Sequence, residues 1–375
     1  MPALGDVVRE LEDRYDPASA EPWDAVGLVC GDPDADVRRA LFAVDPVEVV
    51  VDEAIATGAD LLVTHHPLFL GGTTSVAATT AKGLVVHRLL AAGIALYVAH
   101  TNADVAFPGV SDALGEALGL TDLRPLRAQP GEPQDKVVTF VPAEAVDRLL
   151  DAMSRAGAGG IGDYSRCAFL ADGTGTFRAS PEATPTVGKP GEVTSTPEVR
   201  VEMVSPRARR SSVLRALLDA HPYEEPALDV LELAVLPGAR GLGRVGELDC
   251  AMSLQDFTRH AAASLPRTSW GVRAAGDPHR VVRTVAVCGG SGGDLAADAR
   301  RAGADVLLTS DLKHHATSEA VADLGIGLVD AAHWATEWPW LNSAAQIVAT
   351  TVEVSVSTVV TDPWTLHATS PTGGP

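Results

Sequence analysis

The chain has 375 residues, of which 46% are hydrophobic and only 5% aromatic, so its core draws mainly on Ala, Val and Leu and is large enough for two or three domains. A formal charge of -20 makes nucleic acid an unfavourable partner, because binding its backbone relies on Lys and Arg replacing condensed counterions. No stretch reaches the roughly 18–20 uncharged apolar residues of a membrane span, and the opening MPALGDVVRELEDRY is acidic where a signal peptide is basic and then apolar; a cytoplasmic protein is expected.

In chain order, the first 125 or so residues alternate helix-like and strand-like segments: helix VVRELEDRY, strand ALFAVD, helix EVVVDEAIATG, strand DLLVT, helix KGLVVHRLLAAG, strand IALYVAH and helix SDALGEALG. Such alternation predicts βαβ units around a mainly parallel sheet. The middle of the chain differs. KVVTFVPAEAVDRLLDAMSRAGAG reads strand then helix, and VRVEMVSPRARRSSVLRALLDAHPYEEPALDVLEL reads strand, helix, turn, strand, with Ala171 to Ser195 as a long loop or hairpin. This is the rhythm of a small ferredoxin-like α+β domain, inserted into the parent fold. The last third returns to strand TVAVCGG, helix DLAADARRAG, strand DVLLTS, helix KHHATSEAVADLG, strand IGLVDA, helix HWATEWPWLNSAAQIV and edge strand VEVSVSTVV.

The outer segments echo each other. GADLLVT (58–64) matches GADVLLT (303–309), and GIALYVAHTNAD (93–104) parallels GIGLVDAAHWATE (325–337). The fold class expected is therefore α/β: two related βαβ-type halves, residues 1–128 and 239–375, forming one domain interrupted by the insert at 129–238.

Functional groups in open parallel sheets gather past the carboxyl ends of the strands. His65 and His66 follow one such strand, His100 and Asp104 the next, and His333 and Glu337 the echo of that next strand. The i, i+4 spacing of His333 and Glu337 places an imidazole and a carboxylate on one helix face, where they can share an ion. Asp104 falls in a polar turn before a helix that Ser111 would cap. Adjacent strand residues point to opposite faces, so His65 and His66 suit two ions better than one, and a carboxylate such as Glu337 can bridge them. Nitrogen and oxygen donors of this set suit Zn, Mn, Fe, Ni or Co.

Each group alone has an ordinary alternative. His65 and His66 could cap a strand, His333 and Glu337 could be a solvated helical pair, and Asp104 an Asx-turn residue. His100 reads as a group near the site without ligation, His314 and His315 as a solvated pair at a helix start, and Asp311 as a supporting group. CGGSGGD (288–294) reads as a tight strand-to-helix turn, with phosphate contact the minor alternative since it lacks the Lys-Ser/Thr of a P-loop. Trp334, Trp338 and Trp340 read as helix packing or a subunit contact. Cys30, Cys167, Cys250 and Cys288 have no CxxC spacing and read as small apolar fillers.

These residues resemble the Nif3-like family, whose members are called GTP cyclohydrolase 1 type 2 homologues. The resemblance runs through WDAVGLVCGD, GADLLVTHHPLF, AHTNAD, GLGRVGEL, CGGSGG, TSDLKHH, DAAHWATE and TDPW. It implies a dinuclear metal centre on His65, His66, Asp104, His333 and Glu337, a PII/CutA-like insert, and a homohexamer. Pro108-Gly109-Val110-Ser111 and Ala103 depart from the family's usual HTNLD segment without removing a ligand. The leading reading is a metal-dependent hydrolase-type site acting on a small-molecule or nucleotide substrate with two divalent ions per subunit and Glu337 and His100 as the catalytic groups; the resemblance implies GTP cyclohydrolase chemistry. The alternatives are a non-catalytic metal-binding, metal-delivery or regulatory protein and a metal-dependent phosphoesterase.

Overall fold

A computed structural model describes residues 1–368. These residues divide into two compact units, 1–129 with 239–368, and 130–238.

The first unit carries β1 (Gly27–Cys30), β2 (Arg39–Ala43), β3 (Leu61–Thr64), β4 (Ala95–Val98) and β5 (Leu120–Pro130). The second carries β6 (Gln134–Val141), β7 (Phe169–Arg178), β8 (Val193–Pro206) and β9 (Leu228–Glu232). The chain then returns through β10 (Pro237–Ser253), β11 (Val272–Ala275), β12 (Val281–Val287), β13 (Val306–Thr309), β14 (Gly327–Ala331) and β15 (Glu353–Val356). The result is mixed α/β with three sheets, ordered β1-β4-β3-β2-β15, β11-β14-β13-β12-β10-β5 and β7-β8-β6-β9.

The two larger sheets share a pattern. β2, β3 and β4 run parallel with β1 antiparallel on the outside, and β12, β13 and β14 run parallel with β11 antiparallel on the outside. Every residue of β3, β4, β13 and β14 is buried, as expected of parallel strands covered on both faces. GADLLVT and GADVLLT occupy equivalent places: Gly58 (φ 66°) and Gly303 (φ 84°) take the left-handed backbone that ends a helix and admits the buried strand. Helices Glu48–Thr57 and Ala81–Ala92 cover one face of the first sheet through Val50, Val51, Val85 and Leu89, while Leu4–Arg14 and Trp340–Val348 cover the other through Leu4, Leu11, Trp340 and Leu341.

Three local expectations are corrected, and one strand is found where it was expected, at a sheet edge. The segment expected as one helix, 333–348, is two, His333–Glu337 and Trp340–Val348, because Pro339 lacks the amide that would continue the ladder. β15 is the alternating edge strand that was expected, and it pairs in parallel with β2 of the first sheet. Asp104 lies within a short helix, Thr101–Val105, rather than a turn. Ser111 does not cap the next helix, Val110–Ala117. Gly109 is its N-cap, with the Asp112 carboxylate accepting from Gly109 N at 2.7 Å, and Ser111 Oγ instead accepts from Gly289 N at 3.3 Å.

Residues 130–238 follow the order β6, helix Val146–Arg155, β7, β8, helix Arg210–Ala220, β9. Residues 171–195 form a hairpin rather than an open loop, β7 pairing with β8 from Phe169↔Glu202 to Arg178↔Val193. Leu149, Met153, Val213 and Leu217 of the helices pack on Val137, Val199, Val201 and Met203 of the sheet.

Candidate metal centre

β2, β3 and β4 end at one edge, and the residues just beyond them are Asp45, His65 with His66, and His100. β1 is antiparallel, so its amino end brings Asp24 to the same edge. The corresponding edge of the second sheet supplies Gly290 after β12, Asp311 after β13, and His333 with Glu337 after β14. All the anticipated donors therefore meet at one place.

Glu337, with only 3% of its side chain exposed, lies at the middle. His65 Nε2 is 3.4 Å from its Oε1, His333 Nε2 is 2.9 Å from the same oxygen, and His66 Nε2 is 3.0 Å from Oε2. Asp104 Oδ1 stands 3.7 Å from His65 Nε2. The rings of His65 and His66 sit 5.2 Å apart, tilted by 43°, so consecutive residues do converge on one centre once the strand has ended. His100 packs edge-on to both, at 5.2 Å and 5.7 Å, with the ring of the exposed Trp23 edge-on to it at 6.0 Å.

The outward nitrogen of every one of these rings is engaged. Nδ1 of His65 meets the Ala99 carbonyl at 2.9 Å, that of His66 meets Asp45 at 2.7 Å, that of His100 meets Asp24 at 2.8 Å and that of His333 meets Asp311 at 2.6 Å. Carbonyl and carboxylate oxygens only accept, so each neutral ring keeps its proton on Nδ1 and turns the Nε2 lone pair inward. This is how oriented imidazole ligands are normally held.

Two of the inward atoms are left unsatisfied. His65 Nε2 and Glu337 Oε2 are buried without a hydrogen-bond partner among the described residues. His66 Nε2 is 3.0 Å from Glu337 Oε2. Such unpaired polar atoms are costly in a buried site. Two groups have ligand atoms mutually within 4.8 Å, His65 with His66 and His100, and His66 with His333 and Glu337. A divalent cation fits this donor set.

Charge points the same way. Burial pulls the His333 imidazole down, but the charge and hydrogen bond of Glu337, with Asp311 behind, outweigh it and lift the ring to about 9. Burial likewise lowers the His65 and His66 rings and the carboxylates override it, Glu337 foremost. Burial raises Glu337, but the three imidazoles hold it well below the usual carboxylate range. Burial raises Asp104 to about 6, against the pull of His65. The cluster thus demands positive charge at its centre, which protons or metal ions compete to supply.

The CGGSGG turn closes the wall. A Cβ at Gly290 (φ 64°) would lie 2.6 Å from Glu337 Oε1 and 3.2 Å from His333 Nε2, so glycine is required there. Its amides are consumed internally, Gly290 N by Thr336 Oγ1 at 2.9 Å and Gly292 N by Thr309 Oγ1 at 2.8 Å, which favours the structural turn over a phosphate cradle. His314 and His315 are exposed at the start of helix His314–Glu319 and belong to neither donor group. A cavity of about 960 Å³ lies within residues 130–238, floored by Phe140 and Tyr223, but holds none of the clustered donors. Size therefore does not mark the chemistry.

The sequence reading missed Asp24 and Asp45. Asp45 stands past the end of β2, so the strand-end rule that picked His65 and His100 also applied to it. Asp24 had no such signal, since its loop reaches the edge only because β1 runs antiparallel.

Comparison with known proteins shows the family of the chain. The Duf34/NIF3 family (NGG1p interacting factor 3) matches residues 2–363. A Mycobacterium tuberculosis protein named GTP cyclohydrolase 1 type 2 homolog is 46% identical over 368 residues, 97% of each chain. The crystal structure of a Bacillus cereus protein related to NIF3 is 36% identical with a TM-score of 0.77, covering 98% of this chain and 99% of its own. That of the Staphylococcus aureus protein SA1388 is 30% identical with a TM-score of 0.80 over the same shares.

Proposed function

This chain belongs to the Duf34/NIF3 family, and from that membership and its converging donors we propose that it is a dinuclear divalent-metal protein with a hydrolase-type site. The observation that carries the reading is the orphaned donor set: inward Nε2 atoms fixed by outward Nδ1 partners, gathered around one buried carboxylate. His65, Asp104 and Glu337 would hold one ion and His66, His333 and Glu337 the other, with Glu337 shared between them. Zn, Mn, Fe, Ni and Co all suit such donors. When bound, two divalent ions supply Lewis-acid polarisation and acidify water.

The chain's own groups orient and move protons. Asp24 holds His100 by Nδ1 while Thr101 donates to Asp24 through its backbone N at 3.0 Å and its hydroxyl at 2.5 Å, so the free nitrogen of His100 faces the centre and can take or return a proton there. Asp45, Asp311 and the Ala99 carbonyl keep the remaining rings in register. The relatives' name implies ring opening of GTP, in which water attacks the purine imidazole carbon and formate leaves; that reaction is the first candidate for this centre.

The two-sheet unit is read as two related halves, which the shared strand order and the GADLLVT and GADVLLT echo support. Residues 129–238 are read as an inserted ferredoxin-like, PII/CutA-like domain, supported by the βαββαβ order and the strand order β7-β8-β6-β9. A cytoplasmic homohexamer remains part of the proposal.

The test is to incubate metal-loaded protein with GTP and with simple phosphoesters. Formate release supports cyclohydrolase chemistry, phosphate release a phosphoesterase, and neither product a metal-binding or metal-delivery role. Two bound ions per chain are expected, and a chain that binds none overturns the reading.

A further inference from the structure

The motif TDPW (361–364) lies against the centre and, with His66, His333 and Trp270, walls a cavity of about 350 Å³. After β15 the chain crosses from the first sheet towards the second, and hydrogen bonds pin it along the way. Ser357 N donates to the Phe42 carbonyl at 2.8 Å, and Trp338 Nε1, beside Glu337 in the chain, donates to the Ser357 carbonyl at 2.9 Å. The Thr361 hydroxyl donates to Asp45 Oδ2. Ser269 Oγ donates to the Thr365 carbonyl at 2.9 Å, where Trp364 packs on Trp270 with ring centres 5.5 Å apart. Pro363 keeps the preceding Asp362 in extended backbone, so the segment has little freedom to lose when it docks.

Thr361 meets the second oxygen of a carboxylate whose first is already in use. Asp45 Oδ1 accepts from His66 Nδ1 at 2.7 Å, and Oδ2 is the atom that Thr361 holds. An aspartate bound through one oxygen turns readily about its Cβ–Cγ bond. Bound through both, it keeps the angle at which it receives the ring. The same arrangement stands behind His100: Asp24 Oδ1 accepts from His100 Nδ1 at 2.8 Å, and its Oδ2 takes the amide and hydroxyl of Thr101. Thr101 adjoins His100 in sequence, whereas Thr361 reaches Asp45 across 316 residues. Asp311, behind His333, has no second donor among the described residues.

We propose that residues 357–365 form a clasp on the metal centre in which Thr361 is a positioning residue, fixing the His66 ring through Asp45 in the orientation that serves an ion. The inference rests on the reading of the cluster as a metal centre, and it adds the segment after β15 to that centre's support. Linkage makes the effect reciprocal: whatever the docked clasp adds to metal affinity, bound metal returns to the docking of the clasp. Packing alone has no such consequence, because a merely structural segment is equally firm with and without metal.

Cobalt(II) is the probe, since its visible absorption follows the arrangement of its ligands. Binding is measured by that absorption and by competition with a chelating dye, and hydrogen exchange of residues 357–365 is followed with and without cobalt. T361V keeps the side-chain shape and removes the donor; its cobalt affinity is expected to fall about tenfold, the lower end for partners that orient a ligand, with an altered spectrum. T361S keeps the hydroxyl and is expected to match the wild type in both. Cobalt is expected to slow exchange across the clasp in the wild type and T361S, and to do so less in T361V. Wild-type affinity and spectrum in T361V, equal losses in T361V and T361S, or clasp exchange that ignores cobalt in the wild type each overturn the proposal. A wild-type protein that binds no cobalt overturns the metal-centre reading itself, and the clasp with it.

Discussion

The edge beyond β3 and β4 and the edge beyond β13 and β14 have the same strand order and nearly the same lead-in sequence, yet they do different work. After GADLLVT come His65 and His66, both turned to the centre; after GADVLLT come Ser310 and Asp311, of which Asp311 only steadies His333. His100 and Asp104 stand at i, i+4 after β4, as His333 and Glu337 do after β14, but Glu337 is the hub while Asp104 reaches one ring. The backbone fixes where a donor arrives, and the side chain at that place decides whether it holds the centre or holds another residue.

The largest effect should come from removing the hub. Glu337→Gln takes away the one carboxylate that touches three imidazoles among the described residues, so divalent-metal binding is expected to be lost in metal analysis, with any hydrolytic activity, while circular dichroism remains that of a folded chain. Next is the tie between the segment that follows Asp104 and β10. Arg244, fully buried, bonds Asp112 at 2.8 Å, the Ala106 carbonyl at 2.6 Å and the Gly241 carbonyl at 2.7 Å. Arg244→Met leaves Asp112 buried and unpaired and is expected to cost about 3–5 kcal/mol in denaturant unfolding.

Smaller effects sharpen the contrast between the two edges. Asp45→Asn and Asp311→Asn loosen one ring each, His66 and His333, and each is expected to weaken metal affinity by roughly 10–100-fold, read by competition with a chelating dye. Unequal losses would rank the two edges by their hold on added metal. Gly290→Ala forces a side chain into left-handed backbone, costing about 1–2 kcal/mol, and pushes a methyl against Glu337, so thermal stability and metal occupancy should fall together.

The mildest test is pH. In metal-free protein His333 is raised from 6.5 to about 9, so its stabilising contribution is full below pH 6.5 and lost as pH climbs through 9. Melting of chelator-treated protein should therefore decline across that window, and saturating divalent metal should flatten the decline by replacing the proton. A decline of equal size with metal bound would break the link between the cluster's charge and the ion.

Much of the centre was legible because its signals are local. An apolar run ending in HHP, and HxxxE after another apolar run, mark donors at strand ends whatever the strands later pair with. The strand reading held for β3, β4, β13 and β14, whose continuous burial leaves a plain apolar stretch. It failed where the signal is a partner distant in the chain: β1 and β11 were not anticipated, and the strand that β15 would pair with could not be named. Even the helix broken at Pro339 was overlooked because the apolar spacing runs on through the break.

By itself, the amino-acid order determined the family, the α/β class and the identity of the inward donors, since alternating helices and buried strands and the residues at their ends depend on neighbours only. The outward partners Asp24 and Asp45, the need for glycine at 290, and the cavity shared by Trp270, Asp362 and Trp364 were decided only by tertiary structure. The physical reason is that a hydrogen bond across 76 residues, as from His100 to Asp24, or a wall built from loops some 90 residues apart, exists only once strand order and direction have brought those loops to one edge.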